Sequence, residues 1–65
     1  MMETRNKLYK AVEESDLNSW SVYDLMEMTG LQASEINAVL DEDGWEFAGY
    51  DYYGQSLWTP PADTH

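Results

Sequence analysis

The sequence predicts a small α+β domain in which three helices precede a β-hairpin. Apolar side chains recur every three or four residues in three segments before Gly44. Gly30 and Gly44 follow the second and third of these segments, where a helix is expected to end. Two short segments of strand-forming residues come after Gly44. A chain of 65 residues has room for one such domain.

The first helix is predicted over about residues 3–15. Leu8 and Val12 are four residues apart and Ala11 lies beside them, so all three share one stripe of the helix. Residues 16–19 contain the polar residues that end a helix. The stripe is expected to face the core.

The second helix has a clear beginning and a clear end. Ser21 and Asp24 have the spacing of a capping box, with Asp in place of the usual Glu or Gln. Gly30 suits the left-handed conformation that ends many helices. The predicted apolar face between them consists of Val22, Leu25, Met26 and Thr29.

The third helix is predicted over about residues 33–41. Glu35 in its first turn favours helix formation electrostatically, and Asp43 followed by Gly44 is expected to stop it. The predicted apolar stripe consists of Ile36, Val39 and Leu40. The outward positions are about Ala33, Ser34, Asn37, Ala38 and Asp41.

The hairpin strands are predicted at about residues 45–49 and 55–59, with residues 50–54 at the tip. In the second strand the alternation leaves open whether Leu57 or Trp58 faces the core. The following tail, residues 60–65, contains two prolines and is expected to be flexible. Side chains predicted to be buried together are Trp20, Leu25, Ile36, Leu40 and Phe47.

Residues 21–40, SVYDLMEMTGLQASEINAVL, resemble the helix-turn-helix of the winged-helix superfamily. The Thr-Gly-Leu turn at residues 29–31 and the hairpin over residues 44–60 also resemble that pattern. The resemblance covers roughly residues 6–60 and names no particular family. It implies a winged-helix-like domain over residues 1–59 and DNA binding through the third helix.

The charge distribution argues against that implied DNA binding. The formal net charge is −10, and the three bases, Arg5, Lys7 and Lys10, lie within the first ten residues. Phosphate contacts through Lys and Arg supply most of the affinity of DNA-binding proteins. Asn37 could read an adenine, but no base surrounds it. We therefore expect no ordinary duplex binding.

Two interpretations of the acidic surface remain open. It either keeps a small protein soluble or binds a basic surface on a partner. For the hairpin aromatics Tyr50, Tyr52, Tyr53 and Trp58, we expect at least two to cover the core; the alternative is an interface hot spot. The candidate partner-binding residues are Asp41, Glu42, Asp43, Glu46, Tyr50, Asp51, Tyr52, Tyr53 and Trp58.

These features favour a protein-binding module whose partner belongs to nucleic-acid machinery, such as a polymerase, a nuclease, a regulator or a CRISPR-type effector. One form of this hypothesis is a phage-type inhibitor that mimics DNA with its carboxylates. The alternative is a small winged-helix transcription regulator, acting as a homodimer through the bases of the first helix. A third interpretation is an assembly module of a larger complex, in which the charge is incidental.

Catalytic and cofactor chemistry find no support in the residues. The chain has no cysteine and its single histidine is His65, so neither a thiolate site nor a Ser–His pair is available. Residues 41–44, DEDG, resemble the start of a calcium loop but lack its later oxygen ligands. We expect no enzyme activity, no cofactor, no bound metal, no membrane segment and a cytoplasmic location.

Overall fold

The computed structural model describes residues 2–61 and confirms the predicted α+β fold class. Three helices are followed by an antiparallel two-stranded hairpin, a layout compatible with a winged-helix-like domain. None of the helices in these residues is long and apolar enough to cross a membrane. The elements are α1 (Met2–Glu14), α2 (Val22–Thr29), α3 (Ala33–Asp43), β1 (Glu46–Tyr50) and β2 (Ser56–Thr59).

The predicted limits of α2 are confirmed in atomic detail. The Ser21 hydroxyl accepts from the Asp24 amide at 3.0 Å, and the Asp24 carboxylate accepts from the Ser21 amide at 3.2 Å. Gly30 ends the helix with φ 77°, a conformation that costs glycine little because it has no Cβ. Both ends of α2 therefore depend on contacts within a few residues.

The third helix extends two residues beyond its predicted end, to Asp43. Gly44 then adopts φ 76° and its amide donates to the Leu40 carbonyl, which also accepts from the Trp45 amide. This left-handed cap ends the helix one turn beyond Leu40 and holds Trp45 against the helix end. Trp45 is consequently placed in the core before the first strand begins.

The core lies among the three helices and the base of the hairpin. The prediction for Trp20, Leu25, Ile36 and Leu40 is confirmed, but the prediction for Phe47 is wrong, because this residue is 52% exposed. Trp45 occupies the core instead, and Phe47 pairs with Trp58 across the hairpin. Within residues 3–61, the buried hydrophobic residues are Leu8, Val12, Trp20, Leu25, Ile36, Val39, Leu40 and Trp45.

The hairpin register decides whether Leu57 or Trp58 of the second strand faces the core. Trp58 pairs with Phe47 across the sheet and packs against the core, whereas Leu57 does not belong to the core cluster. A bulge between Phe47 and Tyr50 shifts the register beyond this pair. On the other side of β2, Trp20 and Trp58 form an antiparallel bridge. The linker before α2 therefore anchors the hairpin to the helices.

The predicted C-terminal tail falls mostly outside the described residues. Pro60 and Pro61 follow β2 without regular structure and are half-buried. Residues 62–65 are not described, so the prediction of a flexible tail is not tested there.

Candidate protein-binding surface

The hairpin exposes most of its aromatic side chains. Tyr50, Tyr52 and Tyr53 are 69%, 96% and 84% exposed, respectively. Only Trp58 of the four predicted hairpin aromatics packs against the core, so the expectation that at least two would cover it is wrong. Phe47, which was predicted to be buried, provides a further exposed ring.

The rings form two groups rather than one cluster. Phe47 stacks edge-on against Trp58, with centroids 5.8 Å apart, and against Tyr50, at 5.2 Å. Tyr52 and Tyr53 form a separate edge-on pair at the tip, with centroids 5.6 Å apart. Such edge-to-face pairs are favourable arrangements of aromatic rings, and each group presents a preformed apolar surface.

Asp51 holds the tip of the hairpin in shape. Its Oδ1 accepts hydrogen bonds from the backbone amides of Tyr53 and Gln55, each at 2.8 Å. The Asp51 amide donates to the Gln55 carbonyl at 2.9 Å, and the Gly54 amide donates to the Asp51 carbonyl at 3.0 Å. The carboxylate predicted as a partner contact therefore has a structural role in positioning Tyr52 and Tyr53.

Two of the three acids at the end of α3 bind a base of α1. Arg5 Nε donates to both carboxylate oxygens of Asp43, at 3.2 and 3.0 Å, and Arg5 Nη2 donates to Glu42 at 3.0 Å. The Tyr9 hydroxyl donates to Asp43 at 2.8 Å and accepts from the Trp45 indole at 3.0 Å. Of these acids, only Asp41 makes no hydrogen bond to another side chain within residues 2–61.

This network changes the proton affinity of its members. Hydrogen bonds from Arg5 lower the pKa of Asp43, and Tyr9 lowers it further. Burial raises the pKa of Tyr9, and its bond to Asp43 raises it too. The Asp43 carboxylate is partly buried and occupied by Arg5 and Tyr9, which leaves it poorly placed to meet a partner.

The structure thus divides the nine predicted site residues by role. Asp43, Asp51 and Trp58 stabilise the fold, and Glu42 is exposed but paired with Arg5. The freely presented members are Asp41, Glu46, Tyr50, Tyr52 and Tyr53. Phe47 was not among the predicted site residues; it alternates with Glu46 as Trp45 does, so no local pattern marks it as exposed.

The outward face of α3 borders a groove against β2. The groove has a volume of about 320 Å³ and is lined by Asn37, Leu40, Asp41, Gly44, Trp45 and Trp58. Asn37 and Asp41 are both exposed. A nucleic-acid phosphate approaching Asn37 would therefore meet the carboxylate of Asp41 rather than a base.

Fold and surface together define a small α+β domain with an exposed aromatic hairpin on an acidic body. Comparisons of the chain with models of known protein families, with curated proteins and with solved structures find no match. Among the residues the structure describes, no group of three His, Cys, Asp or Glu side chains is arranged to hold a metal ion.

Proposed function

We propose that this protein is a non-enzymatic binding module that engages a basic surface on a protein of the nucleic-acid machinery. The observation that carries the proposal is the set of exposed aromatic rings on a hairpin whose chain has no Lys or Arg after Lys10. Exposed apolar surface of this kind marks interaction sites in small proteins.

The charge distribution supports a basic partner. Arg5 is engaged by Glu42 and Asp43, so the exposed bases of the described chain are Lys7 and Lys10, both on α1. Asp41 lines the groove beside β2 and Glu46 begins β1, and neither forms a salt bridge within residues 2–61. Complementary charge accelerates encounter and disfavours wrong partners.

The tyrosines support a protein rather than a nucleic-acid partner. Tyrosine provides a large contact area with few rotatable bonds and is enriched at interface hot spots. Stacking of these rings on single-stranded bases would normally require a positive groove. The hairpin instead carries Glu46 and Asp51 and has no Lys or Arg.

The proposal includes an inhibitor that mimics DNA, in which exposed carboxylates take the places of phosphates. The alternative is a winged-helix regulator that binds DNA directly, and exposed Asn37 on α3 favours it. Asp41 one helical turn away counts against it, because the carboxylate would repel a phosphate at that position.

Affinity capture from the native cell tests the proposal. Wild-type protein and the double variant Tyr52→Ala/Tyr53→Ala would be used as matched baits, with captured proteins identified by mass spectrometry. A protein with a basic surface should be enriched by the wild type and lost with the variant. Equal capture by both baits, or capture of DNA alone, would contradict the proposal.

A further inference from the structure

The hairpin has one open edge. β2 is flanked by β1 on one side and by the Trp20 bridge on the other, whereas β1 pairs only with β2 within residues 2–61. The outer edge of β1 is also exposed along most of its length. An unpaired strand edge offers backbone donors and acceptors that another extended chain can bind.

The hydrogen bonds of Trp58 identify which backbone groups lie at this edge. Its amide donates to the Trp20 carbonyl at 2.7 Å, and its carbonyl accepts from the Trp20 amide at 2.9 Å. Because both groups are used on that side, the pair Trp58–Phe47 is of the type without mutual backbone hydrogen bonds. The amide and carbonyl of Phe47 consequently point away from β2.

Tyr50 has the same orientation. The Asp51 amide donates to the Gln55 carbonyl at 2.9 Å, so these two residues form a bonded pair at the end of the hairpin. Bonded and non-bonded pairs alternate along an antiparallel ladder, which makes Tyr50 and its partner Ser56 a non-bonded pair. The edge of β1 therefore presents the backbone groups of Phe47 and Tyr50.

Side chains at the same edge supply a second contact surface. The rings of Phe47 and Tyr50 continue a row that begins at Trp58 beside the core. Glu46 is also exposed, and its side chain lies on the opposite face of β1 from Phe47. The bulge limits regular pairing to a short segment, so ring and charge contacts must contribute much of the affinity.

We propose that β1 binds an extended, lysine- or arginine-rich segment of a partner protein as an added antiparallel strand. This inference rests on the proposed function and deepens it by naming the mode of recognition. Main-chain bonds to Phe47 and Tyr50 would set the register, while their rings and Glu46 would select apolar and basic side chains.

A second copy of the chain suits this edge less well. In a symmetric antiparallel pairing that places Phe47 opposite Tyr50, Glu46 would lie opposite Asp51. Like charges directly opposite each other destabilise a sheet, and each chain carries a formal charge of −10. Charge complementarity therefore favours a basic segment over self-association.

Binding of a synthetic peptide with alternating Lys and Val residues tests strand addition directly. Amide hydrogen exchange, followed by NMR on the whole chain, should slow by about ten-fold or more at Phe47 and Tyr50 when the peptide is saturating. An unchanged exchange rate at both amides under saturation, or no binding, would overturn the proposal. Concentration-dependent protection of these amides without peptide would assign the edge to a second copy and overturn it as well.

Matched peptides separate backbone pairing from charge attraction. A peptide N-methylated at alternate residues keeps the amide donors along one of its two edges and should bind. A peptide N-methylated at every residue has no amide donors and should lose binding. Equal binding of both would reject strand addition while leaving the proposed basic partner intact. Equal binding of a peptide with Glu in place of Lys would contradict the basic partner, and with it both proposals.

Discussion

Arg5, near the start of α1, and Asp43, the last residue of α3, form a forked ion pair across 38 positions of the chain. Tyr9 donates to the same carboxylate and accepts from the indole of Trp45. The pair therefore connects the first helix, the end of the third helix and the aromatic residue that closes the core. A surface acid predicted to contact a partner is instead part of the fold.

Loss of this network should destabilise the protein. Asp43→Asn weakens the contact with Arg5, and Tyr9→Phe removes a donor to Asp43 and an acceptor for Trp45. Each change should cost about 1–3 kcal/mol of unfolding free energy, as expected for hydrogen bonds to charged groups. Asp41→Asn, on the same helix but exposed and without a side-chain partner, is the control and should stay within about 0.5 kcal/mol of wild type. Urea denaturation measures all three.

The contribution of Asp43 should depend on pH. Its pKa is lowered in the folded state, so below about pH 4 the unfolded chain takes up the proton more readily and the network loses its effect. Protonation of the other acids relieves repulsion in the same range, which works in the opposite direction. The measurement is therefore the difference in unfolding free energy between wild type and Asp43→Asn. It should be largest near neutral pH and shrink as pH falls through 4 toward the lowered pKa; a constant difference would contradict the assignment.

A substitution in the core should lower the free energy of unfolding much more than a substitution on the hairpin. Ile36 is fully buried, so Ile36→Ala should cost about 2–5 kcal/mol, enough to unfold many molecules of a domain this small. Phe47→Ala should cost roughly 1 kcal/mol, because its half-exposed ring loses only aromatic contacts with its neighbours. Thermal melting followed by circular dichroism distinguishes the two. Equal losses of stability in the two variants would indicate that Phe47 belongs to the core.

Duplex DNA should not bind at micromolar protein and physiological salt. The exposed face of α3 carries Asn37 and Asp41 but no base, and phosphate neutralisation is the main source of such affinity. Fluorescence anisotropy with random-sequence duplex is the measurement. Submicromolar binding that weakens in Lys7→Gln/Lys10→Gln would favour the regulator and place its contacts on α1.

Charge and aromatic substitutions should act on different rate constants toward a captured partner. Asp41→Asn/Glu46→Gln should lower the association rate and its salt dependence, since steering depends on exposed charge. Tyr52→Ala should mainly raise the dissociation rate, and a loss of about 2 kcal/mol corresponds to roughly 30-fold in affinity. Asp43 is left unchanged so that stability does not confound the rates. If neither variant changes binding, the interface lies elsewhere, with Lys7 and Lys10 the next candidates.

The sequence by itself determined the secondary structure and its order. Ser21 and Asp24 begin α2, and Gly30 and Gly44 end α2 and α3, through bonds that span only a few residues. The apolar stripes of the helices also follow directly from helical spacing. These hydrogen bonds form between residues close together in the sequence, so the fold class could be predicted from the sequence alone.

Tertiary structure decided which hairpin residues face inward and which acids remain free. Alternation treats Trp45 and Phe47 as equivalent, but the end of α3 holds Trp45 in the core, whereas Phe47, two residues later, is half-exposed. Trp58 was placed by its bridge to Trp20, and Asp43 was taken out of the predicted surface by Arg5. These contacts join residues far apart in the chain. A local sequence pattern cannot indicate which residues meet only when the helices and hairpin pack.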